Sequence, residues 1–298
     1  MSENNTPSPL VDELLQKHIR KGSSFYYSIW YLSDDNKIKY KNLFSLFQEW
    51  LSLYNNSHEP QIAHTALHWW LEQLQSPEPD HPLLLTLMQS LESTPELKQQ
   101  IIQHLQEIII ALLHCQHHYQ DSDALDEFLR KTWGNLCVVL GTVLGLCSNK
   151  SGETSIKIHQ QTGVLLGHYQ LIKYLPRQLT KQRCPVPQDL MNKLDVTPAK
   201  LIEILSSTDI YSATQAKKKE FLDEISNTFN RHHSTLDQLL TNINDPVSQH
   251  LALPCHTALQ LQRQWFNSTL KKRFQIFNYR LQLPQIRKRW ISWRCKNK

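Results

Sequence analysis

Glycine is nearly missing from this chain, with 7 residues in 298 where average usage is about 7%. Phosphate-cradling loops and tight turns need the backbone freedom of glycine, so a nucleotide-binding α/β enzyme is excluded. No C-x-x-C pair occurs among the six cysteines (Cys115, Cys137, Cys147, Cys184, Cys255, Cys295). Their scatter implies reduced thiols in a cytoplasmic compartment and no zinc ribbon or disulfide framework. The opening stretch Met1 to Pro9 lacks the charged and apolar regions of a secretory signal and the Arg-rich character of a transit peptide. The longest strongly apolar run, Leu136 to Cys147, falls short of the roughly 20 residues that cross a bilayer. Acidic residues are absent from Lys271 onward, where ten basic ones fall: Lys271, Lys272, Arg273, Arg280, Arg287, Lys288, Arg289, Arg294, Lys296 and Lys298. With a net charge of +5 overall, the rest of the chain carries −5. The basicity belongs to the tail.

What is present is helical periodicity, in a composition led by Leu, Gln, Lys, His and Glu. Between Glu96 and His118, Leu97, Ile101, Leu105, Ile108, Leu112 and Cys115 recur at steps of three and four, one face of a helix. A second helix is expected over Leu125 to Leu146, where Gly141 and Gly145 allow close approach of a neighbour. A third is expected over Ile158 to Tyr174, with Gly163 and Gly167 four apart. Ser76–Pro82, Ser148–Gly152 and Pro185–Pro187 punctuate these stretches. No repeat, sustained heptad or period-two strand is evident. The expected organisation is a disordered lead (1–9), one helical domain (10–268) and a basic aromatic tail (269–298).

Three residue clusters are candidate sites. Asp34-Asp35 lacks a third acid at metal-ligand spacing and reads as a solvated turn. Asp121 to Glu127 reads as a helix start, with Asp123 as cap and acids in the first turn, where the helix dipole favours them. His114 and His118, one helical turn apart around Cys115, are a weak transition-metal candidate that lacks a fourth ligand. In the tail, Trp290 and Trp293 interleave with Lys271, Lys272, Arg273, Arg287, Lys288 and Arg289. That mixture suits an anionic membrane surface. The alternative is a final helix that packs its aromatics on the body and turns its charges to water. Nucleic acid is not an expected partner.

Several stretches, in order, resemble the squalene/phytoene synthases. Ser23–Tyr27 is similar to the start of that family's first core helix, and Phe44–Glu49 to the approach to its first aspartate motif. Trp69-Trp-Leu-Glu-Gln-Leu74 followed by His81-Pro82 resembles its W-W/R-x-E-x-L…H-P segment. Gly163–Lys173 resembles the helix before its second aspartate motif, and Pro187–Pro198 its L-P-x-D-x-L…G-V-S-P step. Leu281–Pro284 with Trp290–Arg294 resembles its C-terminal signature. The resemblance implies an all-α isoprenoid-synthase-type bundle around a central apolar cavity.

Active members of that family carry D-D-x-x-D and D-x-x-x-D motifs, whose carboxylates hold Mg²⁺ against a diphosphate. Carried over, the first motif falls on Leu51, Ser52 and Asn55, and the second on Tyr174 and Gln178. None supplies a carboxylate, so the resemblance implies no catalytic residue, no metal and no cofactor. Lys173, Arg177 and Lys181 lie four apart with Arg183 nearby. They form a basic stripe if the helix runs through Pro176, and cationic side chains can hold a phosphate or lipid headgroup directly. The likeness extends to a branch without the aspartates, the mitochondrial complex I assembly factor of the phytoene-synthase-like type. It rests on Gly163-x-x-x-Gly167, Lys173, Pro176 and the basic stretch before Val186-Pro187. The expected function is an inactive lipid- or partner-binding factor, peripheral on the inner face of a membrane. Its expected partners are a prenyl lipid or phospholipid and complex I subunits or other assembly factors. The alternative is a head-to-head prenyltransferase with an atypical metal site.

Overall fold

The computed structural model describes residues 9–56, 59–92, 94–115, 118–145, 152–208, 213–241, 253–272, 274–277 and 281–297. Among these residues the regular structure is helical, with no strand. The first helices are α1 (Pro9–His18), α2 (Ser24–Ile29), α3 (Asp34–Asn56), α4 (Pro60–Gln75), α5 (Pro82–Ser90) and α6 (Pro95–His114). Next come α7 (Ser122–Leu129), a π turn (Arg130–Gly134), α8 (Asn135–Val143) and α9 (Gly152–Thr180). The last are α10 (Gln188–Lys193), α11 (Pro198–Ser206), α12 (Ala213–Thr241), α13 (Leu253–Lys271) and α14 (Gln285–Lys296).

The 29-residue helix α9 is central and packs against the π turn, α7, α8, α12 and α13. Its crossing with the α7–α8 rod is close because Gly163 has no side chain. A Cβ there would lie 2.2 Å from the carbonyl oxygen of Trp133. A Cβ at Gly167 would press on Leu129 Cδ2 at 2.7 Å. The second expected helix is therefore α7–α8, running from Ser122 to Val143 with a π turn at its contact with α9. The face expected between Glu96 and His118 is α6, which ends at His114. On it Ile101, Leu105, Ile108 and Leu112 are buried.

Helix α9 exceeds its expected limits at both ends and does run through Pro176. The proline removes one amide donor but leaves the remaining backbone bonds of the last turn to hold it. Asp34 and Asp35 do not sit in a turn; they open α3, where Lys37 and Lys39 pair with them across one helical turn. The cap of α7 is Asp121 and not Asp123: its side chain accepts from the amide of Ala124 at 2.8 Å. Residues 1–8 of the expected lead, Arg273, Arg280 and Lys298 of the tail, and Ser148 to Ser151 lie outside the described residues.

The described tail is packed onto the body. Phe274 is fully buried and stacks edge-on with Phe266, and Trp265 Nε1 donates to the carbonyl of Leu281 at 3.0 Å. Helix α14 lies against α2 and α13. Lys288 departs from its expected membrane-facing place. Its side chain is buried, and Nζ donates to the carbonyl of Gly22 at 2.8 Å. Ile291 and Ser292 share that inner side, with Ser292 Oγ donating to Tyr27. Ile286, Trp290 and Trp293, at steps of four and three, form the opposite face and are 85%, 53% and 54% exposed.

Candidate functional site

A cavity of about 340 Å³ opens between α2, α3, the π turn, α9 and α13. Helix α3 presents Phe44, Gln48, Leu51, Ser52 and Asn55, spaced so that one face lines the space. Helix α9 answers from across with Gly167, Leu171, Tyr174 and Gln178, again about one turn apart. The floor is apolar: Phe44, Leu129, Trp133 and Leu166 are buried, and Phe25 stacks on Phe44. The π turn places Trp133 in this floor, where Phe47 meets it edge-on.

The rim is polar and basic. Lys173, Tyr174 and Arg177 line the opening, with Tyr174 47% exposed. Lys173 Nζ lies 5.8 Å from the Trp265 ring and 5.9 Å from the Tyr174 ring, cation–π distances that hold the ammonium at the edge. Gln178 Nε2 donates to Asn55 Oδ1 at 2.7 Å. The five positions where the resemblance places aspartates, Leu51, Ser52, Asn55, Tyr174 and Gln178, thus all meet at one cavity. Among the described residues, no aspartate or glutamate lines it. Neutral amides and cations do not fit Mg²⁺, a hard cation that takes carboxylate oxygens.

The basic stripe divides in two. Lys173 and Arg177 line the cavity. Lys181 and Arg183 turn to the end of α3, donating to the carbonyls of Asn55 at 3.1 Å and Tyr54 at 2.8 Å. They satisfy carbonyls that a helix C-terminus leaves without intrahelical partners. Burial, then the like charges of Arg177 and Arg183, pull Lys181 below its ordinary pKa. The rim of α9 is therefore electropositive. At the other side His18, which also lines the cavity, meets Glu49 Oε1 at 2.7 Å.

Among the described residues, His114 and His118 belong to no group of three metal-ligand side chains. His114 and His118 are both exposed, and His114 Nδ1 lies 2.8 Å from the carbonyl of Ile110. Cys115 between them is turned to the hydroxyls of Tyr54 and Tyr119. Of the expected membrane-contact residues, Lys271, Lys272, Arg287, Arg289, Trp290 and Trp293 are exposed. No helix among the described residues is long and apolar enough to cross a membrane.

The squalene/phytoene synthase family model matches residues 19–287. The structure is similar to that of a dehydrosqualene synthase solved in complex with ligand, at 12% identity, 98% coverage of both chains and a TM-score of 0.72. It is also similar to the squalene synthase HpnC from Alicyclobacillus acidocaldarius, at 12% identity, coverage of 88% and 92%, and a TM-score of 0.60. YisP from Bacillus subtilis subsp. subtilis strain 168 is similar at 15% identity, coverage of 95% and 96%, and a TM-score of 0.62. No curated protein matches by sequence. The all-α isoprenoid-synthase fold expected from the sequence is the fold observed.

Proposed function

We propose that this chain, which belongs to the squalene/phytoene synthase family, holds an amphiphile with one apolar chain and an anionic head, and does so without chemical turnover. The observation that carries this reading is the combination of an apolar floor with a rim of Lys173 and Arg177 and no lining carboxylate. An allylic diphosphate ionises when metal-held charge stabilises its departing group. Here cations can bind the phosphate directly, but nothing in the lining can hold the Mg²⁺ that would draw it away.

The resemblance of Gly163-x-x-x-Gly167, Lys173, Pro176 and Val186-Pro187 to the branch without aspartates supports a role in assembly of respiratory complex I. The outward face of α14 supports action at an anionic membrane surface. The second reading is a head-to-head prenyltransferase with an atypical metal set. Its support is that proteins named as synthases share the fold over most of the chain.

Incubating the purified protein with farnesyl or geranylgeranyl diphosphate and Mg²⁺ separates the two readings. The expected result is retained lipid by native mass spectrometry and no prenyl product. Pyrophosphate release with a condensed product at about 1 s⁻¹ or faster would establish the transferase. For the assembly role, deletion of the gene should lower rotenone-sensitive NADH:quinone oxidoreduction in membranes. Unchanged activity with fully assembled complex I on a native gel removes that role.

A further inference from the structure

Asp126 on α7, His168 on α9 and His232 on α12 converge on the side of α9 away from the cavity. His168 Nε2 lies 2.7 Å from Asp126 Oδ1, and His232 Nε2 lies 3.2 Å from Asp126 Oδ2. All three donor atoms fall within 4.8 Å of one another, and theirs is the group of this kind among the described residues. The two imidazole rings lie side by side at 4.9 Å between centroids.

We infer that Asp126, His168 and His232 bind a single divalent transition-metal ion, zinc by its chemistry. Two imidazoles and one carboxylate are a ligand set that zinc accepts, with the fourth position left to water. Bonds of about 2.0–2.1 Å at tetrahedral angles put donor atoms roughly 3.3 Å apart, so these atoms, within 4.8 Å of one another, would draw together around an ion. His232 supplies an independent sign. It is 7% exposed, yet its Nε2 is buried without a well-aligned hydrogen bond and points at the carboxylate. Its other nitrogen lies 3.1 Å from the Gln161 amide nitrogen, which also donates to the His232 carbonyl, and the two contacts fix the ring's orientation.

The Arg231 guanidinium, 3.5 Å from Asp126 Oδ2 and 56% exposed, covers the site from the solvent side. It can swing into water when an ion takes its place, leaving an entry path. A bound ion would tie α12 to α7 and α9, which line the cavity at Phe128 and Leu129 and at Gly167 and Leu171.

The site is independent of the proposed lipid binding and is tested on the full chain stripped with EDTA. Titration with Zn²⁺ by calorimetry should show one ion per chain and raise the melting temperature by several degrees. Both effects should be lost in Asp126→Asn and in His232→Ala, and kept in the control His114→Ala/His118→Ala. His232→Cys guards against a merely structural loss: with Co²⁺ it should gain a sulfur-to-metal charge-transfer band that the wild type lacks. Absence of stoichiometric binding by the wild type overturns the site. So does binding that survives Asp126→Asn and His232→Ala, or that disappears only in the His114/His118 control.

Discussion

Gln178 reaches across the mouth of the cavity to Asn55, Nε2 to Oδ1 at 2.7 Å, and so joins the last turn of α9 to the last turn of α3. The resemblance places aspartates at both positions, and here an amide donor meets an amide acceptor. The pair closes a contact between helices that two carboxylates would force apart without a cation between them. Replacing Gln178 with Leu leaves the Asn55 carbonyl half-buried without this donor, which costs about 1–3 kcal/mol. Asn55→Ala should cost less once Gln178→Leu is present, giving a coupling of about 1 kcal/mol in a double-mutant cycle by denaturant unfolding. Additive effects would show that the two amides do not support each other.

Gly163 carries the crossing of α9 over the π turn. A methyl group there would sit 2.2 Å from a backbone oxygen that cannot rotate away. Gly163→Ala should destabilise at the upper end of the ~1–3 kcal/mol that overpacking costs, lowering the melting temperature by several degrees. Gly145→Ala is a useful contrast. No described residue lies within 4 Å of its Cβ, so its expected cost is that of the positive φ of +75° at the end of α8. A smaller loss at Gly163 than at Gly145 would contradict the crossing described.

The fold was legible because apolar residues at steps of three and four report helix faces directly. The paired glycines of α9 reported a close crossing. The cavity's lining was legible only through ordered resemblance, since Leu51, Ser52, Asn55, Tyr174 and Gln178 carry no chemistry that stands out alone. Helix α9 outran its expected end because Pro176 reads as a breaker, while tertiary contacts hold the turn after it. The split of Lys181 and Arg183 away from Lys173 and Arg177 depends on where α3 ends, which spacing within α9 does not reveal. The Asp126–His168–His232 group was missed because its members are 42 and 64 residues apart. The one available signal was a histidine beside Gly167, on the face of α9 that packs against other helices. Lys288 was misjudged because a run of three basic residues looks uniformly solvated, yet a helix turns each to a different side.

Acid should destabilise the protein in two windows. Burial, then the Arg263 charge, push His233 down to about 4 from 6.5. Between these values the unfolded chain takes up a proton that the folded one refuses, so stability falls as pH drops from about 6.5 to 4. Glu49 is lowered from 4.5 to about 2, chiefly by its hydrogen bond with His18, against burial and with help from Lys17. Its contribution is complete above pH 4.5 and disappears as pH falls towards 2. Melting temperature measured against pH should show both slopes. His233→Gln should reduce the upper slope, which the likewise lowered His81, His159 and His168 share, and Glu49→Gln the lower, which Asp126 shares. A curve level from pH 7 to 4 in the wild type would refute the assignment to His233.

The outer face of α14 should bring the protein to anionic membranes. Ile286, Trp290 and Trp293 project on one side of the helix, with exposed Arg287, Arg289 and Arg294 around them. Arg289 lies over the Trp30 ring and Arg294 over Trp290, each 5.5 Å from the centroid, so the cations sit beside the aromatic face. Indole rings favour the headgroup level, and each basic residue near an anionic surface adds about 1 kcal/mol, screened by salt. Flotation with phosphatidylserine-containing liposomes should therefore weaken as salt rises. Trp290→Ala/Trp293→Ala and Arg287→Glu/Arg289→Glu should each reduce it several-fold. Deleting the tail would be a poor test, because Lys288 and Ser292 bond to the body at Gly22 and Tyr27 and their loss would unsettle α2. The point variants keep Lys288 and Ser292, and Trp290→Ala/Trp293→Ala also keeps the contacts of Arg287 with Gln264 and of Arg289 with Trp30, so circular dichroism should show them folded. Equal binding to neutral liposomes, or binding unchanged in both variants, would leave α14 as a packing helix with a solvated outer face.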